Sequence, residues 1–345
     1  MGTLLIQARR AWLGRGRVLD DPAVVLDGGR IRWVGPARHA GAADQEVEGD
    51  WFLMPGPVDH HVHLGLSDPR AVLRGGVTAV RDLGWPPEDI FPLVDAASGP
   101  GFEGPAVAAC GPMITGRGGY PSRASWAPAG TALEVEGTEE AVAAVERVVA
   151  QDPAAIKVTL NAEAGPTLTD DELVAIVDTA HRLARRVTCH VQGAGQTERA
   201  LGAGVDELAH APWTERLSEA MIAGLARSTT IVGTLDIHSY GRSTPELEVA
   251  QDNLRRFRAA GGRILYGTDL GNGPIPPGLH AQEARHLAAC GLSNEEVLLA
   301  MTAHELVDDG RGDLIGLRAD PLDDPAALRD PPLVVRSGRI RRLDR

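Results

Sequence analysis

Residues 54–64 read MPGPVDHHVHL, with three histidines inside four positions directly after a Pro-Gly-Pro turn. Successive side chains on an extended strand point to opposite faces, so Asp59, His61 and His63 share one face while His60 and Val62 share the other. The pair His61 and His63 then has two readings: the polar end of an ordinary strand, or donors for a metal ion at the mouth of a barrel strand. The second reading needs further donors from elsewhere in the chain.

Bulk composition narrows the setting. A chain of 345 residues with 43% hydrophobic content buries a large core and exceeds the usual size of one compact domain unless that domain is a barrel. Against 34 Lys and Arg stand 47 Asp and Glu, and the formal charge of -13 repels polyphosphate and anionic lipid. Neither nucleic acid nor a membrane is expected as a partner. The opening MGTLLIQARRAWLGRG has too short an apolar run for a signal segment, and no later stretch supplies the ~18 uninterrupted apolar residues of a membrane span. A soluble, cytoplasmic protein is the expectation. Cys110, Cys189 and Cys290 are widely spaced with no Cys-x-x-Cys pair, which reads as buried small side chains rather than a disulfide framework or a thiolate metal site.

Three zones follow one another along the chain. Residues 1–53 carry short β-rich runs at 4–8, 23–26 and 31–34, punctuated by Asp27-Gly28-Gly29 and Gly35-Pro36, a hairpin pattern. Over 54–308, apolar runs of strand length alternate with amphipathic helical stretches, the pattern of repeated βα units. In 168–186, for instance, Thr169-Asp-Asp-Glu172 forms a capping box, and Leu173, Ile176, Val177, Ala180, Leu183 and Ala184 recur at helical spacing. Ser293-Asn-Glu-Glu296 is a second capping box, and Thr244-Pro245-Glu246 a good helix start. Candidate strands fall at 58–64, 77–83, 106–114, 155–160, 187–191, 205–210, 229–235 and 263–268, the number that closes a (β/α)8 barrel. Residues 309–345 return to short strands at 313–317 and 333–340. Neither end encloses a core alone, so the two are expected to pair as one small β-sandwich domain beside the TIM-like barrel.

Barrel chemistry sits at the C-terminal ends of the strands. His63 lies at such an end, His190 ends the fifth candidate strand, His210 the sixth, and Asp269 follows the eighth in Leu-Tyr-Gly-Thr-Asp. Lys157 stands inside the apolar run Ala-Ala-Ile-Lys-Val-Thr-Leu, where it reads either as a snorkelling side chain or as part of the same constellation.

With these residues in place the chain resembles the amidohydrolase superfamily, in its imidazolonepropionase-like and prolidase-like branch. The resemblance runs through DGGRIRWVG at 27–35, PGPVDHHVH at 55–63, GVTAVRDLG at 76–84, Ile156-Lys-Val158, Gly267-Thr-Asp269 and the segment 314–320. It implies that His61, His63, Lys157, His190, His210 and Asp269 are metal ligands, holding two divalent ions, zinc being the expected metal, bridged by a carboxylated Lys157. Asp269 would also be the catalytic proton carrier. The implied reaction is hydrolysis of a C-N amide bond of a small cyclic amide, N-acyl amino acid or dipeptide-like substrate by a metal-bridging hydroxide. A mononuclear deaminase or hydrolase of an N-heterocycle on the same scaffold is the alternative. A barrel that has lost its metal is a third reading, disfavoured by the complete ligand set.

The stretch VDDGRG at 307–312 is shorter than the segment the family usually carries there, so an altered junction between barrel and β domain is expected. The glycine-rich loop 115–123 offers Arg117 and Tyr120 to a substrate or to solvent, and His238 and Asp236, after the seventh strand, are candidates to face the pocket. His39, His181, His286 and His304 read as surface or satisfied core histidines. A small molecule is the expected partner, and homo-oligomerisation is left open by the sequence.

Overall fold

Eight parallel strands form a barrel in the computed structural model, which describes residues 2–99 and 101–344: Val58–Val62, Ala79–Asp82, Ala106–Ala109, Ile156–Asn161, Val187–Gln192, Glu207–Leu208, Thr230–Val232 and Arg263–Leu265. The first three pair in sequence order, and the fourth to the eighth pair likewise. Backbone bonds close the ring: Ala154 N–H to Ala109 O at 2.7 Å joins the third and fourth strands, and His60 N–H to Tyr266 O at 3.1 Å joins the first and eighth. The strands are short because the ladder gives way to irregular backbone at the C-terminal rim, where functional side chains project.

The third strand departs from the continuous run expected over 106–114. It breaks at Cys110-Gly111-Pro112, where Gly111 takes a φ of +75° and Pro112 has no N–H to give a ladder. The chain resumes as Met113–Gly116, which pairs with the fourth strand through Lys157 and Val158 and, on its other side, with an additional parallel strand, Ala132–Val135. The loop that follows brings Tyr120 to the cavity at the C-terminal end of the barrel, its carbonyl accepting from the Thr159 hydroxyl.

A helix follows each strand, and both expected capping boxes are made. Thr169 Oγ1 accepts from Glu172 N–H, and the Glu172 carboxylate accepts in return from Thr169 N–H. The helix Asp170–Arg182 buries Leu173, Ile176, Val177 and Ala180 against the barrel, the larger of them contributing about 1.5–3 kcal/mol each by leaving water. It stops before Leu183 because Ala184 turns to a φ of +55°. Cys110, Cys189 and Cys290 are buried and free, as expected. Among the described residues no helix is long and apolar enough to cross a membrane.

The two chain ends share one eight-stranded sheet, curled over its own core. Leu314–Leu317 runs antiparallel to Gln45–Pro55, which runs parallel to Leu4–Gly14. Leu4, Ile6, Val24, Ile31, Leu314 and Val335 meet in that core, separate from the barrel's. The short junction is absorbed by backbone contact: Gly312 N–H donates to Gly29 O at 3.0 Å and Asp309 N–H to Ile31 O at 2.7 Å. A Cβ on Gly312 would lie 2.7 Å from Gly29 O, so only glycine allows this approach.

Candidate metal centre

His61, His63, Lys157, His190, His210 and Asp269 all line one cavity of about 200 Å³ at the C-terminal end of the barrel. All are buried. Among the described residues, donor atoms of His61, His63 and Asp269 converge within 4.8 Å of one another. The ring centroids of His61 and His210 are 4.6 Å apart, and those of His190 and His210 are 4.9 Å apart.

The imidazoles are oriented from behind. His61 Nδ1 bonds Ala209 O at 2.8 Å, His63 Nδ1 bonds Gly84 O at 3.1 Å, and His210 Nδ1 meets Thr234 Oγ1 at 2.8 Å. A carbonyl can only accept, so the Nδ1 of His61 and of His63 carries the proton and each Nε2 lone pair faces inward, as in metal sites with oriented ligands. Thr234 holds its hydroxyl under His210 from a φ of +49°, a strained conformation for a β-branched residue. Two buried carboxylates fix the first strand. Asp59 accepts from His61 N–H at 3.1 Å, Thr268 N–H at 3.0 Å and Thr268 Oγ1 at 2.5 Å, stitching the strand of His61 to that of Asp269. Asp82 accepts from Leu64 N–H at 2.7 Å and Gly84 N–H at 3.0 Å, fixing the carbonyl that orients His63.

The electrostatics suit a cation. Burial pushes the imidazolium of His61 down to about 4 and, with help from Lys157, that of His190 down to about 3, leaving both rings neutral. Asp269 is buried among these imidazoles. Its Oδ1 lies 3.1 Å from His61 Nε2 and 3.3 Å from His63 Nε2 without hydrogen-bond alignment to either, and the buried His190 Nε2 has no partner. Three donors facing one another across a gap, with lone pairs unspent, fit a divalent cation of the zinc type.

Lys157 is the sole lysine of the sequence, and its side chain is 1% exposed. It makes no ion pair among the described residues, and burial lowers its ammonium to about 8, against Cys110 and Asp269, which raise it.

The other expectations divide. Tyr120 and His238 line the cavity; the Tyr120 ring stacks on His190 at 5.2 Å, and His238 Nε2 is buried without a partner. Arg117 does not reach the site, because its guanidinium pairs with Glu136 at 2.7 Å in solvent, where both side chains are about two thirds exposed. Asp236 turns its carboxylate away, to His280 at 2.7 Å and Ser239 Oγ at 2.7 Å. His286 is a satisfied core histidine, close to Gln251 and Asp236. His181 pairs with Asp206, and His304 bonds Asp313 O. His60 leaves the cavity and lines a separate hollow with Arg15, Arg258 and Arg263. His60→Asn should therefore leave the metal content unchanged, whereas His61→Asn or His63→Asn should deplete it. Equal metal loss in all three, measured by elemental analysis, would contradict this placement.

Sequence reasoning missed Trp213, Tyr240, Gln192 and Asn272, which line the cavity, and Trp126, whose ring lies 4.8 Å from that of His63. Gln192 was within reach of the strand's alternation, two positions after His190. The loop aromatics carried no such signal.

The model of the amidohydrolase family matches residues 52–305, and the chain belongs to that family. An uncharacterised protein of Mycobacterium tuberculosis is 27% identical over 373 aligned residues, covering 96% of this chain and 92% of the relative. An imidazolonepropionase of an Arthrobacter species is 57% identical over 55 residues, 16% of this chain and 14% of that one. The crystal structure of a Xaa-Pro dipeptidase with bound methionine superposes with a TM-score of 0.82 at 20% identity, covering 98% of this chain and 99% of that one, a likeness of fold. Membership makes this protein a hydrolase of carbon-nitrogen bonds in a family that generally uses metal.

Proposed function

We propose that this amidohydrolase is a binuclear metal-dependent hydrolase that cleaves the C-N bond of a small amide. The observation that carries this reading is Lys157. Every other cation of the Lys and Arg class is an arginine, and the one lysine is buried in the barrel among four histidines and an aspartate. An ammonium there would repel a metal ion, whereas the neutral amine, accessible with a pKa of about 8, adds carbon dioxide to become an anionic carbamate.

In this reading His61, His63 and Asp269 would hold one ion, His190 and His210 a second, and Lys157, once carboxylated, would supply an anionic ligand to the pair. Divalent ions so placed polarise a carbonyl and acidify a water molecule. The Asp269 carboxylate would accept the proton of the attacking water, whose oxygen adds to the carbonyl carbon. Asp269 then returns the proton to the nitrogen as the C-N bond breaks, leaving an acid and an amine. The unpaired His238 Nε2 is free to bond the substrate from the opposite wall, and the Tyr120 and Trp213 rings keep bulk water out.

A mononuclear hydrolase or deaminase of an N-heterocycle is the second reading. It is favoured by one observation, that the donors of His61, His63 and Asp269 alone converge within 4.8 Å among the described residues. Protein prepared with zinc and bicarbonate should hold two metals per chain by elemental analysis. A ratio fixed at one under saturating zinc selects the mononuclear reading.

A further inference from the structure

We infer that the substrate is an uncharged amide with a single small ring, and that the site discriminates against a carboxylate on that ring. The inference rests on the hydrolase reading above and selects among its substrates. Among the described residues lining the cavity, Lys157 is the sole Lys or Arg, and it is buried with the candidate metal donors. Arg117, the guanidinium on the neighbouring loop, is held outside by Glu136. The polar side chains of the wall are already engaged or neutral. Gln192 Nε2 donates to Glu163 at 2.7 Å, and Asn272 Nδ2 donates to Asp269 at 2.9 Å.

The remaining wall is aromatic and apolar. Tyr120, Trp213, Ile237, Tyr240 and Met113 line it. Trp213 packs 4.6 Å from His238 and 5.5 Å from His210, so its indole spans from the metal donors to the opposite wall. Such rings offer flat faces to a flat ligand. A carboxylate on the side of the ring turned away from the metal donors would lose its hydration against this wall with no side-chain cation to replace it, and Glu163 beside Gln192 adds repulsion. Size sets the other limit: the cavity is about 200 Å³, and an apolar cavity of ~150 Å³ admits one benzene.

The matched probes are 2-pyrrolidinone and its 5-carboxylate, titrated calorimetrically into zinc-loaded protein, with ring opening followed in the same samples. The neutral lactam should bind at least about tenfold more tightly. Equal or tighter binding of the carboxylate, or no saturable binding of either, overturns the inference. Ile237→Arg, which sets a guanidinium in the wall, should shift the preference toward the carboxylate, and an unshifted preference also overturns it. Preferential binding of the neutral ring without ring opening supports the inference and counts against the hydrolase reading, so the two failures are separable.

Discussion

Lys157→Ala should purify with less than the wild-type metal content and lose hydrolysis by at least about 100-fold, since even groups that only orient metal ligands cost up to about 100-fold when removed. The expectation follows from one side chain being asked to do what no neighbour can. Lys157 is buried, makes no ion pair among the described residues, and lines the same cavity as His190 and His210, on the strand beside that of His190. Acetate or formate should restore part of the activity by occupying the vacated bridge. Lys157→Arg should not, because a guanidinium stays charged and cannot take up carbon dioxide. The sequence makes a direct assay available. With no second lysine in the chain, ¹³C-bicarbonate should produce a single side-chain carbamate resonance, absent from both variants. Full activity in the arginine variant, or no carbamate signal in active wild-type protein, would end the binuclear reading.

The parts of this molecule that were legible in the sequence are those governed by periodicity and by local chemistry. Alternation in VDHHVH separated His60 from His61 and His63, and the structure keeps them apart: His60 faces a hollow lined by arginines and the other two face the cavity. The capping boxes at Thr169 and Ser293 were readable because both partners lie within one helical turn. The pairing of the chain ends was an inference from insufficiency, neither segment having a core of its own, and the sheet that joins Leu314–Leu317 to Gln45–Pro55 bears it out.

What escaped is what the loops decide. Nothing in 115–123 distinguishes Arg117 from Tyr120 as the residue that turns inward. The outcome depends on the break at Gly111-Pro112 and on Tyr120 O receiving the Thr159 hydroxyl at 2.6 Å, a contact 39 residues distant. Asp236 and His238 were indistinguishable for the same reason. A tight turn places them on opposite sides, the Asp236 carboxylate accepting from Ser239 and Gly241 within the turn while His238 is left to the cavity. Trp126 reaches His63 from a loop with no periodic signal at all. Substrate recognition is therefore the least legible layer, and the candidate metal donors, on strands or just past their ends, the most.

Asp269→Asn should lower kcat by about 10²–10⁴, the range that a positioned proton carrier contributes, with a much smaller change in KM. The substitution is chosen for the backbone. Asp269 has a φ of +55°, a left-handed conformation that asparagine adopts at least as readily as aspartate and that costs alanine about 1–2 kcal/mol. Asn also keeps a carbonyl oxygen where Asp269 Oδ2 accepts from Asn272 at 2.9 Å, so the loop beyond the eighth strand should hold its shape and the melting temperature should stay close to wild type. What is lost is charge and the ability to take up a proton. With the amide oxygen held by Asn272, the amide nitrogen faces His61 and His63, so the ion is bound more weakly and the comparison is made at excess zinc, where the remaining donors refill the site. If the proton-carrier role is real, refilling restores the metal content and leaves kcat low. Recovery of kcat in step with zinc occupancy would reduce Asp269 to a ligand, and the proton would then have to be carried by another group facing the cavity, of which His238, with its unpaired Nε2, is the foremost.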